Sequence, residues 1–288
     1  MTSQPQRVLH DEAVLGGTRI TSVEEARHLF FRRGQATGDI LIYLDKQPRG
    51  RLLELPAGEG KTTREIARLG YEVVPADLFP HCYKNDAPPC VRADMSKPLP
   101  FADASMDYVL CQEGIEHIEA PLSFTRECAR VLRPGGKLIL TTPNVLHMTS
   151  RLAYFLVGHR SYRSGLINEY QTLVGRDGAD MYHGHAWHWR YPVLRYVLRL
   201  SGFHVPPPQC TKYSWTSMLF SLPMYPVLYL AHTFAISRGL AKERRRDIVP
   251  MARAASREVR QHVLSRALLW GRRLVIIAEK EAGLPAPR

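Results

Sequence analysis

A chain of 288 residues, 45% apolar and 23% charged, has the composition of a globular protein and is neither disordered nor fibrous. Its formal net charge of +12 is local: between Arg238 and Arg273 eleven Lys/Arg stand against three Asp/Glu, a segment suited to nucleic acid, to an anionic membrane face or simply to solvation. Five cysteines without a C-x-x-C pair argue against structural zinc and for a reduced cytosolic compartment, and the opening "MTSQPQRVLHDEAVLGG" lacks the apolar run of a secretory leader.

In chain order, residues 1–47 are expected to form an N-terminal helical cap. The stretch "RLLELPAGEGKTT" (51–63) then resembles a phosphate-binding loop. A P-loop would need its first glycine where Leu55 stands, so ATP and GTP are not expected. What remains is a strand ending at Glu54-Leu55, a tight turn carrying Gly58 and Gly60, and a helix over "KTTREIARLG", which brings backbone close to a ligand at a helix N-terminus. "YEVVPAD" (71–77), "CVRADM" (90–95) and "MDYVLCQ" (106–112) read as strands two to four. "PLSFTRECARVL" (121–132) reads as a helix, "RPGG" as a turn and "KLILTTPN" (137–144) as the fifth strand. Cys111 and Cys128 sit in apolar patterns and read as core.

Such alternation predicts a doubly wound, mostly parallel sheet, with ligands at the carboxyl ends of its strands. Those ends carry Glu54, Gly58 and Gly60, then Asp77, Asp94, and Gln112 with Glu113. Asp77 follows the glycines by about 20 residues, the spacing of a carboxylate that accepts from ribose hydroxyls, although an aspartate there can equally cap a helix.

The runs "LLELPAGEGKTTREIARLGYEVVPAD", "ADMSKPLPFADASMDYVLCQEGIEHI" and "ECARVLRPGGKLILTTPN" resemble the successive motifs of class I S-adenosylmethionine-dependent methyltransferases, over about residues 48–145 and again in the terminal "RLVIIAEK". The resemblance implies a Rossmann-like sheet of seven strands, S-adenosyl-L-methionine as cofactor, and an acceptor of the small-molecule or lipid-linked branch. It also implies residue roles. Gly58 and Gly60 would lie against the methionine moiety and Glu54 near its amino group. Asp77, with Leu78 beside it, would hold the ribose. Asp94 and the Met95 amide would hold adenine, and Gln112 would line the pocket near the sulfonium. Pro56 departs from the family pattern by replacing the first glycine, which removes one N–H and bears on cofactor affinity. A nicotinamide dehydrogenase shares the spacing but needs a third glycine near Thr63.

After the fourth strand, "CQEGIEH" has neither the Asn/Asp-Pro-Pro-aromatic run of base-amine methyltransferases nor a Pro-Cys nucleophile, which demotes nucleic acid as the acceptor. A hydroxyl acceptor calls for a general base. "DMYHGHAWHWRYPVLRYVLRLSGF" (180–203) clusters His183, His185 and His188 just before a helix from Tyr191. By the resemblance His185 best matches the family's catalytic histidine, His183 is second, and His117 in "GIEHI" is a third candidate. Packing roles are the alternative for all three, and the spacing also permits a metal, for which no convincing carboxylate partner beyond Asp180 is evident; none is assigned.

The methyltransferase domain is expected over 48–206 and 272–281, with 207–271 inserted before the last strand on the substrate or membrane side. Residues 213–237 of that insertion carry no Asp, Glu, Lys or Arg, and Pro223 and Pro226 interrupt them. The expectation is an interfacial hairpin; a bilayer span and a buried lid are the alternatives. The expected whole is an O-methyltransferase in the cytoplasm, peripheral on the inner membrane face. A noncatalytic docking protein on the same fold and a structured-RNA methyltransferase remain as other readings.

Overall fold

The computed structural model describes residues 37–160, 187–210, 212–243 and 247–282, together with short strands at 13–15, 18–20, 173–174 and 181–182. Near the N-terminus β1 (Ala13–Leu15) pairs antiparallel with β2 (Thr18–Ile20), and α1 spans Thr37–Asp45. The sheet begins with β3 (Arg51–Glu54), followed by α2 (Lys61–Arg68), β4 (Glu72–Asp77), β5 (Val91–Arg92) and β6 (Met106–Gln112). Then come α3 (Pro121–Val131), β7 (Leu132–Pro143), α4 (Met148–Val157), the pair β8 (Leu173–Val174) and β9 (Met181–Tyr182), and α5 (Tyr191–Leu200). The chain closes with β10 (Phe203–His204), α6 (Trp215–Lys242), α7 (Val249–Val263), α8 (Arg266–Trp270) and β11 (Arg273–Lys280).

Seven strands form one sheet in the order β10-β11-β7-β6-β3-β4-β5. β3, β4, β5, β6 and β7 run parallel, whereas β11 is antiparallel to both β7 and β10. This is the expected Rossmann-like, doubly wound sheet. Strand alternation divides the core by face. Leu52, Leu110, Ile139, Val275 and Ile277 point to α1 and α2, where Ile40, Leu44 and Ile66 meet them. Leu53, Val109, Cys111, Leu138, Leu140 and Ile276 point to α3 and α5, where Phe124, Cys128, Leu194 and Leu198 meet them. Cys111 and Cys128 are buried free thiols, as their apolar surroundings predict.

Three local expectations need revision. The expected helical cap over 1–47 contains, among its described residues, the antiparallel pair β1–β2 as well as α1. β7 starts at Leu132, opposite Met106, and not at Lys137. "RPGG" is an excursion within the strand, made where Gly135 takes a positive φ of 75°. More consequentially, 213–237 does not turn back as a hairpin: Pro223 and Pro226 lie inside one continuous helix of 28 residues. A proline removes a hydrogen bond from a helix, but its fixed φ near −65° is helical, and no Gly or Asn between Leu222 and Val227 supplies the backbone freedom for reversal.

The run "LPFADASMD" has a structural purpose. Arg130 on α3 donates to the carbonyls of Leu99 (2.9 Å) and Phe101 (2.8 Å) and to the carboxylates of Glu127 and Asp103. Glu127 in turn accepts from the Leu99 amide at 2.7 Å. Arg130→Ala would release this turn from α3, and urea denaturation should show a loss of about 2–3 kcal/mol, because charge-assisted bonds to part-buried carbonyls disappear.

Candidate active site

At the carboxyl edge of the sheet, a cavity of about 360 Å³ opens between β3, β6 and the start of β11. The antiparallel β11 begins at that edge, Arg273 facing Pro143 in register, so its first side chain joins the ends of the parallel strands. Glu54, Pro56, Gly58 and Gln112 line the cavity, together with Thr37, Glu113 and Arg273.

Glu54 is the last residue of β3 and is 2% exposed. Thr63 Oγ1, one turn into α2, donates to its Oε2 at 2.5 Å. Among the described residues no cation pairs with it. Burial, offset in part by that hydrogen bond and reinforced by the nearby Asp77 charge, pushes its carboxyl from 4.5 up to about 8. Gly58 has a φ of 53°, and a Cβ built there would meet no atom within 4 Å, so its backbone is open to the cavity. Gly60, at a φ of 78°, is a different case: a Cβ would strike Asn85 and Tyr83. The first glycine serves approach, the second close packing.

Gln112 ties three elements together. Its Nε2 donates to Thr37 Oγ1 on α1 at 2.8 Å, and its Oε1 accepts from Thr62 Oγ1 on α2 at 3.2 Å. Glu113, next in the chain, holds a positive φ of 52°, a strained conformation for a non-glycine residue of the kind found at functional sites. Its carboxylate pairs with Arg273, and Oε1 accepts from Thr141 Oγ1 at 3.2 Å. Burial lowers the pKa of Arg273. Among the described residues the cavity lining thus holds two ion pairs, Glu113–Arg273 and Glu59–Lys61, and one buried carboxyl without a counter-ion.

The remaining candidates lie around this centre. Asp77 does not line the cavity. Its Oδ2 accepts from the Gly58 amide at 2.8 Å and its Oδ1 from the Phe79 amide at 2.9 Å, so it holds the glycine turn from below while each oxygen keeps capacity for a further bond. Leu78 follows it. Asp94 accepts from the Ser96 amide at 2.8 Å and lies 3.4 Å from Lys97; with Met95 it stands apart from the cavity lining. His117 closes a short 3-10 turn at Ile115–His117 and is also outside the lining. His183 and His185 lie outside the described residues. Next in sequence, the Trp187 amide donates to the Glu116 carbonyl (3.4 Å) and Trp189 Nε1 to the Ile115 carbonyl (2.9 Å), within four residues of Gln112. His188 is 3.2 Å from the Tyr154 hydroxyl.

The sequence assigns no role to Thr37, Glu113 or Arg273. Arg273 was legible in principle, because an antiparallel last strand must start at the ligand edge. Glu113 was marked only as a strand end. Nothing local marks Thr37, which arrives by tertiary packing.

The donor set fits the amino-acid end of S-adenosylmethionine. A buried carboxyl lacking a cation suits an ammonium group, and open backbone at Gly58 permits close approach.

Residues 53–140 match the family described as Methyltransferase domain. A ubiquinone biosynthesis O-methyltransferase from Xanthomonas axonopodis pv. citri (strain 306) is 35% identical over 108 residues, 34% of this chain and 45% of that protein. Its namesake from Xanthomonas campestris pv. campestris (strain B100) is 34% identical over 106 residues, 34% of this chain and 44% of the other. The match thus spans less than half the length of these curated relatives. Among solved structures, a SAM dependent methyltransferase from Archaeoglobus fulgidus is similar with a TM-score of 0.49 at 15% identity, covering 90% of this chain and 95% of the other.

Proposed function

Taking residues 53–140 as a class I S-adenosylmethionine-dependent methyltransferase domain, we propose that the whole chain is an O-methyltransferase acting on a small or lipid-linked hydroxyl acceptor. The observation that carries this reading is the cavity at the ends of β3 and β6, where Glu54 is buried with no counter-ion among the described residues, beside the open Gly58 backbone. When bound, the cofactor supplies an activated methyl group on a sulfonium. Glu54 would hold its ammonium group, Gly58 and Gly60 would shape the turn against its methionine moiety, and Gln112 would line the pocket near the sulfonium. Asp77 with Leu78 would hold the ribose, and Asp94 with the Met95 amide would hold adenine.

Aligning the acceptor oxygen behind the methyl group is most of the catalysis. The proton of that oxygen goes to His185, with His183 as second choice and His117 as third. Trp187 and Trp189, which follow these histidines in sequence, bond to the Glu116 and Ile115 carbonyls close after Gln112, and this supports the choice of His185. The exposed apolar surface of α6 supports an acceptor drawn from a membrane, and five free cysteines support a cytoplasmic site of action at the inner membrane face.

Calorimetric titration with S-adenosylmethionine, followed by a mass-spectrometric search of cell extracts for labelled O-methyl products, tests the reading. No cofactor binding would overturn it. Asp77→Ala should weaken cofactor binding by about 1.5–3 kcal/mol, because ribose contacts and the support of the Gly58 amide are lost together. Asp94→Ala should act in the same direction but less, its side chain being already engaged by Ser96 and Lys97. Unchanged affinity in both would remove the ribose and adenine assignments.

A further inference from the structure

α6 leaves the body of the molecule. Its first turns are held there: Ser217 and Ser221 are buried, Ser217 Oγ lies 3.2 Å from His147 Nδ1, and Trp270 Nε1 donates to Ser221 Oγ at 2.8 Å. From Leu222 to Lys242 no residue is buried. Leu222 is 73% exposed, and Leu230 and Phe234 are similarly open; on α4, packed beside the first turns, Phe155 is 84% exposed. This is a continuous apolar surface of a kind a soluble monomer rarely shows to water.

α7 returns along the second half of α6, and the two helices bound a groove of about 580 Å³. Arg253, Arg257 and Arg260, at i, i+4 and i+7, share the α7 side of it. Arg260 is braced, donating to Thr233 Oγ1 at 2.7 Å and lying 4.7 Å over the Tyr229 ring. Arg253 and Arg257 are exposed and, among the described residues, have no carboxylate partner; no acidic residue lines the groove.

By length and composition α6 is apolar enough to cross a membrane. Its setting argues otherwise. The arginines flank it from Tyr229 onward, and the body holds it up to Ser221, so Leu222–Leu228 is the stretch free on all sides. Seven residues make ~10 Å, against a hydrocarbon core of ~30 Å.

We propose that α4, α6 and α7 form a docking surface for an anionic bilayer, in which the apolar side of α6 lies in the headgroup–acyl boundary and Arg253 and Arg257 bind lipid phosphates at the groove. The inference deepens the proposed function, resting on its membrane-borne acceptor. α8 (Arg266–Trp270) links the root of α6, through Trp270 and Ser221, to the start of β11, whose Arg273 lines the cavity.

Liposome flotation tests it with the full chain, using phosphatidylcholine vesicles with and without phosphatidylglycerol. Wild type should float with the anionic vesicles and release at high salt. The double variant Arg253→Glu/Arg257→Glu should bind them at least ~10-fold less, since each basic residue at the surface contributes appreciably. Leu222→Ser/Leu230→Ser should lose binding as well. Both variants should titrate S-adenosylmethionine like wild type, which shows that they are folded. Failure to float, equal binding by the arginine variant, carbonate-resistant insertion, or a stable dimer abolished by Leu222→Ser/Leu230→Ser would each overturn the proposal. Flotation without cofactor binding would instead sink only the methyltransferase reading.

Discussion

Glu54→Gln should weaken S-adenosylmethionine binding by about 2–3 kcal/mol, on the order of 30- to 150-fold, because the buried carboxylate that would face the ammonium group is replaced by a neutral amide. It should also change the pH response. In the free protein burial raises the Glu54 carboxyl from 4.5 to about 8. Folding therefore retains a proton on this group between those values. Its contribution to stability is fully present below 4.5 and is lost as pH rises through about 8, by an amount on the order of a few kcal/mol. A bound ammonium group reverses that preference and expels the proton. Cofactor affinity should thus rise from about pH 6 toward 8, and calorimetry in buffers of different ionisation enthalpy should detect release of a proton. The Gln variant, neutral throughout, should release none and, without cofactor, should outlast wild type in thermal melts at alkaline pH. A proton-silent wild type would remove Glu54 from the ammonium site.

The largest kinetic effect is expected at the histidine cluster before α5. His185→Ala should lower kcat by roughly 10²–10⁴-fold with cofactor affinity intact, if the acceptor hydroxyl needs a general base. The loss should be greatest near neutral pH and shrink as rising pH ionises the acceptor without help. His183→Ala is the comparison. Equal and near-wild-type rates in both would mean that alignment alone carries the reaction. A matched rise in KM without change in kcat would mean that these histidines only bind the acceptor.

The succession of strands and helices, the doubly wound, mostly parallel sheet and the carboxyl edge at which ligands are expected were legible along the chain. Each is carried by local signals: apolar runs of strand length, helical spacing between them, and glycines where the backbone must turn. Glu54, Gly58 and Gln112 could be named for the same reason, since a strand's last residue and its turn are sequence neighbours. Tertiary structure decided what those signals cannot encode. Thr37 meets Gln112 across 75 positions and Arg273 meets Glu113 only because β11 runs antiparallel. Whether Asp77 lines the cavity or braces its floor depends on where the Gly58 amide points, a detail of three dimensions. Two prolines suggested that the apolar segment turns back on itself, yet a proline's φ suits a helix as well as a turn. Sequence determined that 213–237 is uncharged and apolar; the fold decided that it is one helix, rooted by Ser217 and Ser221 and flanked by arginines that return from α7, because the position of a second helix is set by packing and not by the residues of the first.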